Sequence, residues 1–496
     1  MSSAPHGSQQ FPLDTNSDLE VDIELPNCQT PSKNKDALLR FHDHWTSRQR
    51  YCVLIIASMA VIMVPLVDTI YLPALKEVED DLNAPQSLVA LSVSINLLLG
   101  GFSSLLWGPS SDKFGRRVIY VVATVSLIAT TVVCIFAPTI GILVAFRALQ
   151  GIAVAAFVSL GGGSVADVFP PEQLGTANGY LMVPLLLGPI IGPLLGGGLS
   201  QAYGWRSTMI CLAVFSGAIL FPVIVFFLPE TQSFKALQRL KASDPDLASR
   251  LEGAELIESS PPVFNPPWVP LRYVFEWAIF PHALVALITF GSLFASLTEF
   301  PIVLAASPYS LSTGIIGVCY LPQGVGSLIA SPLFGWLSDY AAAQHPSEPE
   351  ARLMYSTLST LLIMPPSLLL YGWALDFKTN LAACLIGQFF IGAGCASYLP
   401  GIFGYLTAIK QSSAGAASAA VQTSMFSSAG VLIIVSSVAV NAIGMGPFFT
   451  ILAGLQAVFS LAAFVLIILQ RRKKRPAIII SLEEEAQTGQ VQPSSL

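Results

Sequence analysis

The chain has 496 residues, of which 53% are apolar and only 11% charged, with a net charge of −6. A soluble domain usually carries roughly 25% charged residues, so this composition excludes a water-soluble globular protein; apolar residues this numerous also exclude a single membrane anchor. The acidic balance lies mainly in the tails and the middle loop, and no basic surface suited to nucleic acid is present.

The first 50 residues are polar, rich in Ser, Pro, Asp and Lys, and lack a cleavable hydrophobic leader. They predict a disordered cytosolic tail, 1–50. Apolar runs then fall at roughly 52 to 74, 88 to 108, 118 to 137, 140 to 164, 176 to 199 and 207 to 228, and again at 281 to 305, 311 to 333, 353 to 373, 381 to 407, 413 to 440 and 446 to 470. The pattern predicts an all-α membrane protein with twelve transmembrane helices in two six-helix halves, 51–228 and 281–470. Between them, 229–280 holds Lys235, Arg239, Lys241, Glu252, Glu255 and prolines 261, 262, 266 and 267, and reads as a cytosolic linker. A tail, 471–496, follows. Of the seven cysteines only Cys28 lies outside the apolar runs, so no extracellular disulfide framework is expected.

Positive residues near spans resist translocation. With the N-terminus cytosolic, every Lys and Arg falls inside except Lys76, Arg206 and Lys378 outside and Arg147 within the membrane. Both termini are therefore expected in the cytosol.

The halves echo each other. Gly108-Pro-Ser-Ser-Asp112 after the second run matches Gly335-Trp-Leu-Ser-Asp339 after the eighth, and Arg147-Ala-Leu-Gln150-Gly151 matches Gln388-Phe-Phe-Ile-Gly392. The offset grows from 227 to 241 residues, absorbed by a longer loop from Gln344 to Arg352. This is the signature of a duplicated unit, with halves related by an axis along the membrane normal.

Four features carry chemistry. The segment Gly108 to Arg117 packs Asp112, Lys113, Arg116 and Arg117 between two apolar helices, with Gly108 and Gly115 allowing a tight reversal; Asp167 and Glu172 are candidate counter-charges for its arginines. The fifth run places Gly188, Gly192 and Gly196 along one face beside Gly197, with prolines at 184, 189 and 193, so that helices approach closely and bend. Arg147 is the only basic residue inside a run, and its cost in hydrocarbon requires a cavity, an acidic partner or backbone carbonyls. Asp68 and Glu299 are the intramembrane carboxylates. A carboxylate facing an alternately wet cavity can load and release protons, so Asp68 is expected to pair with Arg147 and act as the leading protonation site. Glu299 is either a second proton site or a headgroup-level residue. Asn96, Gln150, Tyr320, Gln323, Gln388, Tyr398 and Gln422 are candidates for the cavity wall or for interhelical hydrogen bonding.

The 108–117 segment resembles motif A of the major facilitator superfamily, with Ser110 and Lys113 in place of the usual Leu and Arg. Arg147 to Gly151 resembles motif B, and Gly188 to Gly197 resembles motif C, the antiporter signature. Together with Tyr71-Leu72-Pro73 and Leu321-Pro322-Gln323-Gly324, these motifs are similar to the fungal twelve-spanner drug:proton antiporters. The resemblance implies the major facilitator fold and a secondary transporter exporting a drug, weak organic acid or secondary metabolite against protons by alternating access. It assigns Gly108, Asp112, Gly115, Arg116, Arg117 and Asp339 to a conformational latch. Asp68, Arg147, Gln150, Glu299, Gln323 and Gln388 fall to the proton and solute pathway. Gly188, Gly192, Pro193, Gly196 and Gly197 form the antiporter helix. It also implies a monomer in the plasma membrane.

Two alternatives stand beside it: a dedicated exporter of one endogenous acid, with Arg147 binding the acid's carboxylate, and a non-transporting sensor on the same fold. No phosphate-binding Gly-Lys-Ser/Thr loop occurs, and only His282 lies near a span, so neither ATP hydrolysis nor a metal or other cofactor is expected.

Overall fold

The computed structural model describes residues 39–40, 44–243, 251–252, 266, 268–345, 348–410 and 414–487. The tail bearing Cys28, most of the proline-rich linker, and the side chain of Glu172 lie outside the described residues.

Among the described residues, twelve helices are long and apolar enough to cross a bilayer: span 1, Ser47–Asp81; span 2, Gln86–Phe114; span 3, Arg116–Ile135; span 4, Ile140–Val168; span 5, Ala177–Tyr203; span 6, Arg206–Phe227; span 7, Phe280–Ala305; span 8, Thr313–Gln344; span 9, Ala351–Asp376; span 10, Leu381–Ile409; span 11, Ala416–Ile443; and span 12, Met445–Arg471. Helices satisfy every backbone group without water, which is why apolar runs of this length fold so. Their exposed faces carry Phe226, Leu362 and Val458, as a lipid-facing surface requires. Spans 1 and 7 are the innermost, each 78% buried over its apolar window against 22% for span 6.

The duplication is visible in close packing. A Cβ on Gly151 of span 4 would strike the Asn96 carbonyl of span 2, and one on Gly392 of span 10 would strike the Gln323 carbonyl of span 8. The two contacts occupy the same place in each set of six spans. The sets meet along span 2 against span 11, where Ser94 Oγ donates to the Gly430 carbonyl at 2.6 Å and Ser104 and Thr423 hydroxyls lie 2.9 Å apart.

Several details depart from the sequence expectation. Span 2 stays helical through Phe114, so Gly108 and Asp112 stand on a helix and only Gly115, at φ +93°, makes the turn. The polar Asp112–Phe114 turn extends the helix past the end of the apolar run. The segment after Phe227 contains a helix, Ser233–Ser243, with Ala236 and Leu237 buried. Span 12 belongs to one helix, Met445–Gln487, that runs on into the segment after Gln470. A two-residue parallel pair joins Leu39–Arg40 to Leu251–Glu252.

Candidate functional site

A cavity opens between the two sets of spans. It is lined from span 1 by Val64, Pro65 and Asp68, from span 7 by Phe290 and Phe294, from span 8 by Gln323 and Ser327, from span 10 by Cys395, and from span 11 by Gln422 and Phe426. Its volume is about 120 Å³, below the roughly 300 to 1,000 Å³ of small-molecule sites, so the halves must part to admit a solute. Asp68 is also part of an adjoining recess with Asn96 and Gln422. Asp68, Gln323 and Gln422, with Asn96, are therefore the predicted polar residues that line the opening.

The glycine stripe of span 5 explains how Asp68 is held there. A Cβ on Gly188 would meet Pro65, one on Gly192 would meet Thr69, and one on Gly196 would meet the Ile70 carbonyl. Gly197 instead faces the Thr313 carbonyl and Gly317 of span 8, and a Cβ on Gly317 would meet the Pro193 carbonyl. Span 5 thus presses directly on the stretch of span 1 that carries Asp68.

Arg147 lies behind the cavity wall rather than in it. Span 1 stops its regular helix at Thr69, with Ile70 N bonded to Leu66 O as the last turn. The Val67 carbonyl is left without a helical donor and accepts from Arg147 Nη1 at 2.9 Å. The same nitrogen donates to Gln150 Oε1 at 2.7 Å, and Nε reaches the Ser92 carbonyl at 3.4 Å. Gln150 passes the chain on to Thr131 Oγ1 at 2.7 Å. The Tyr71 ring lies 4.8 Å from the guanidinium carbon, and its hydroxyl bonds Ser92. Arg147 is wholly buried. The expected Asp68–Arg147 ion pair is absent among the described residues: Arg147 donates instead to the Val67 carbonyl of the broken helix, to Gln150 and to the Ser92 carbonyl. Arg147 Nη2 has no hydrogen-bond partner. Arg147 is not among the residues that line this cavity.

Glu299 faces the protein interior. It is 1% exposed, accepts from Ser436 Oγ at 2.9 Å, and lies at the edge of reach, 3.5 Å, from Gln86 Nε2 of span 2. It thereby bridges the two sets of spans. Gln388, at the position of Arg147 in the second repeat, is fully buried with both amide atoms unpartnered. Tyr320 and Tyr398 donate to the Leu297 and His282 carbonyls at 2.7 and 2.9 Å. Leu297 precedes Pro301 by one helical turn and so has a carbonyl that no helical N–H can reach; Tyr320 supplies the donor.

At the Asp112 end, Arg116 pairs with Asp112 at 2.8 Å and with Asp167 at 3.0 Å. Its backbone N–H donates to Glu230 Oε1 at 2.8 Å, and Arg117 caps the Val225 carbonyl. In the second repeat Asp339 pairs with Arg352 at 2.8 Å, so span 9 provides the cation that the missing Gly-Arg-Arg does not. At the other end, Thr313 Oγ1 donates to Glu77, and Gln201 Oε1 accepts from Gly314 N at 2.9 Å. Sequence reading missed Glu230, Glu77, Gln201 and the aromatic wall, since each acts only through a neighbour remote in the chain. The sole signal was charge or amide side chains at span ends.

The Major Facilitator Superfamily model matches residues 57–364. The chain is 30% identical over 376 residues to the MFS-type transporter penM of Penicillium rubens, covering 71% of each. It is 26% identical to the multidrug transporter AQR1 of Candida glabrata, over 90% of this chain and 79% of that one. It is 28% identical to citrate exporter 1 of Aspergillus niger, over 79% of each. Among solved structures, the D-xylose–proton symporter superposes with a TM-score of 0.63 at 14% identity, covering 84% of this chain and 97% of that one. At that identity the likeness speaks for the fold.

Proposed function

The chain belongs to the major facilitator superfamily and is a multi-pass membrane transporter of small molecules rather than an enzyme, and from that premise we propose that it expels an organic solute in exchange for protons by alternating access. The observation that carries this reading is the placement of Asp68. It is the one carboxylate among the described residues lining the central cavity, on the span that the antiporter glycines press against. A carboxylate there can hold a proton when the cavity faces the acidic side and give it up when the cavity faces the other. Relatives named as a multidrug transporter and a citrate exporter supply the range of cargo, drug or organic acid.

In this reading 51–228 and 281–470 are the moving halves, 229–280 joins them, and both termini are cytosolic in the plasma membrane, with the protein a monomer. Gly108, Asp112, Gly115, Arg116, Arg117 and Asp339 form the cytosolic latch. Glu299 is a second proton station at the outer end, beside the Glu77–Thr313 and Gln201–Gly314 closures. Arg147 and Gln150 set the shape of span 1 and the field at Asp68, and Gln323 and Gln388 serve the opposite half. The test is to profile medium from deletion and overexpressing strains. A compound that tracks gene dosage and is retained in cells when a protonophore is added is the expected result. Dosage-independent profiles, or export indifferent to the protonophore, would overturn it.

A further inference from the structure

Away from the central cavity, the outer side of span 1 carries a ridge of Tyr51, Ile55 and Met59, whose four-residue spacing stacks them on one helical face. A furrow runs along each side of this ridge. One, of about 570 Å³, is lined by Ser58 and Ile62 of span 1, Tyr180 and Pro184 of span 5 and Phe215 of span 6. The other, of about 360 Å³, lies against Val223 and Phe227 of span 6 and has Arg48 at its end. The larger furrow stays unfilled because each of its walls is irregular there: the helix of span 1 is interrupted at Ile62, span 5 carries Pro184, and span 6 passes into a π-helix over Phe215–Leu220. Tyr51, Ile55 and Tyr180 are each more than half exposed, so both furrows face the bilayer rather than the protein interior.

From Arg48 to Ile62 span 1 rises ~21 Å, more than the ~15 Å of hydrocarbon in one leaflet. The furrows therefore start at the headgroup layer and run down among the tails. Arg48 is exposed at that rim, and no carboxylate is among the described residues lining either furrow. A second cation, Arg117 of span 3, stands on the Val225 carbonyl in the last turn of span 6. The rim is thus positive, and the tyrosine hydroxyls of the furrow walls are further donors of the kind found at membrane interfaces. A guanidinium pairs with a phosphate through two parallel hydrogen bonds, while unbranched apolar chains gain dispersion contacts along the furrows. Two furrows that flank one ridge and share Tyr51 suit a molecule with two tails and one acidic head. We infer that span 1 binds one diacyl phospholipid of net negative charge, a tail on each side of the Tyr51–Ile55–Met59 ridge and the phosphate at Arg48. The leaflet, unlike the site, rests on the orientation proposed above, which makes it the cytosolic one, where anionic lipids concentrate.

The test titrates purified full-length protein in detergent with dioleoyl phosphatidylserine, dioleoyl phosphatidylcholine and single-chain oleoyl lysophosphatidylserine, and counts bound lipid by native mass spectrometry. One copy of phosphatidylserine is expected to bind more tightly than either of the others. Arg48→Gln should weaken that binding by about fivefold or more, the effect of one basic residue at an anionic headgroup, while Arg48→Lys keeps most of it. Ser58→Phe, which fills the larger furrow, should weaken both diacyl lipids alike. Lipid-free melting of Arg48→Gln at the wild-type midpoint shows that the loss is not a folding defect. Equal affinity for phosphatidylserine and phosphatidylcholine, unchanged affinity in Arg48→Gln, or lysophosphatidylserine bound as tightly as the diacyl lipid overturns the proposal. A two-chain mass that takes up no phosphatidylserine also overturns it, by giving the furrows to a second copy. Failure of the proposed orientation shows separately, as a tag ahead of Ser47 that is labelled from outside intact cells while these affinities stand.

Discussion

At Arg147 a guanidinium removed from water is stabilised mainly by backbone rather than by an acid. The unwound turn after Thr69 exposes the Val67 carbonyl, and Arg147 fills that vacancy while Gln150 accepts from the same nitrogen and the Tyr71 ring lies 4.8 Å from the guanidinium carbon. Hydrogen bonds to charged groups are worth ~1.5–3 kcal/mol each. Arg147→Lys keeps the charge but loses the planar fork, so it should lower the melting midpoint in detergent and reduce transport by about tenfold or more. Wild-type melting and transport in that variant would show that charge alone suffices. Asp68, Arg147 and Glu299 were legible in the sequence because an ionised side chain in an apolar run is costly and therefore conspicuous. Their partners were not. A carbonyl freed by a helix break, or a serine from span 11 reaching Glu299, leaves no mark in composition or spacing.

Among the elements, glycine controls how near two spans come. Gly151 and Gly392 each sit where a Cβ would overlap a neighbouring carbonyl, whereas Gly162, also in span 4, faces open space. Gly151→Ala and Gly392→Ala should each destabilise by ~1–3 kcal/mol through forced separation of the spans, while Gly162→Ala should melt like wild type; equal melting of all three would contradict this packing. Gly192→Ala, pressed toward Thr69, is expected to impair transport more than it lowers stability, as initial rates alongside melting curves will show. The span pattern was readable because a bilayer demands about 20 apolar residues per helix. Span ends were less so: the 108–117 segment looks like a loop by its glycines and charges, yet the helix persists to Phe114 and the reversal is confined to Gly115. Glu230, which accepts the Arg116 N–H, lies 114 residues away and could not be paired with it from spacing.

For the whole molecule, alternating access requires the contacts at the Glu77 end to part. Thr313 and Glu77, and Gly314 and Gln201, join the halves there. A double variant Glu77→Cys with Thr313→Cys, oxidised to a disulfide, should stop transport and recover it on reduction; undiminished transport in the cross-linked state would contradict a moving outer closure. The central claim is that protons drive this motion through Asp68. The direct measurement compares wild type with Asp68→Asn in proteoliposomes, following both pH-gradient-driven accumulation of a cargo and its gradient-free exchange. The account predicts that Asp68→Asn retains exchange but no longer accumulates cargo against its gradient. Full gradient-driven accumulation in that variant would contradict it.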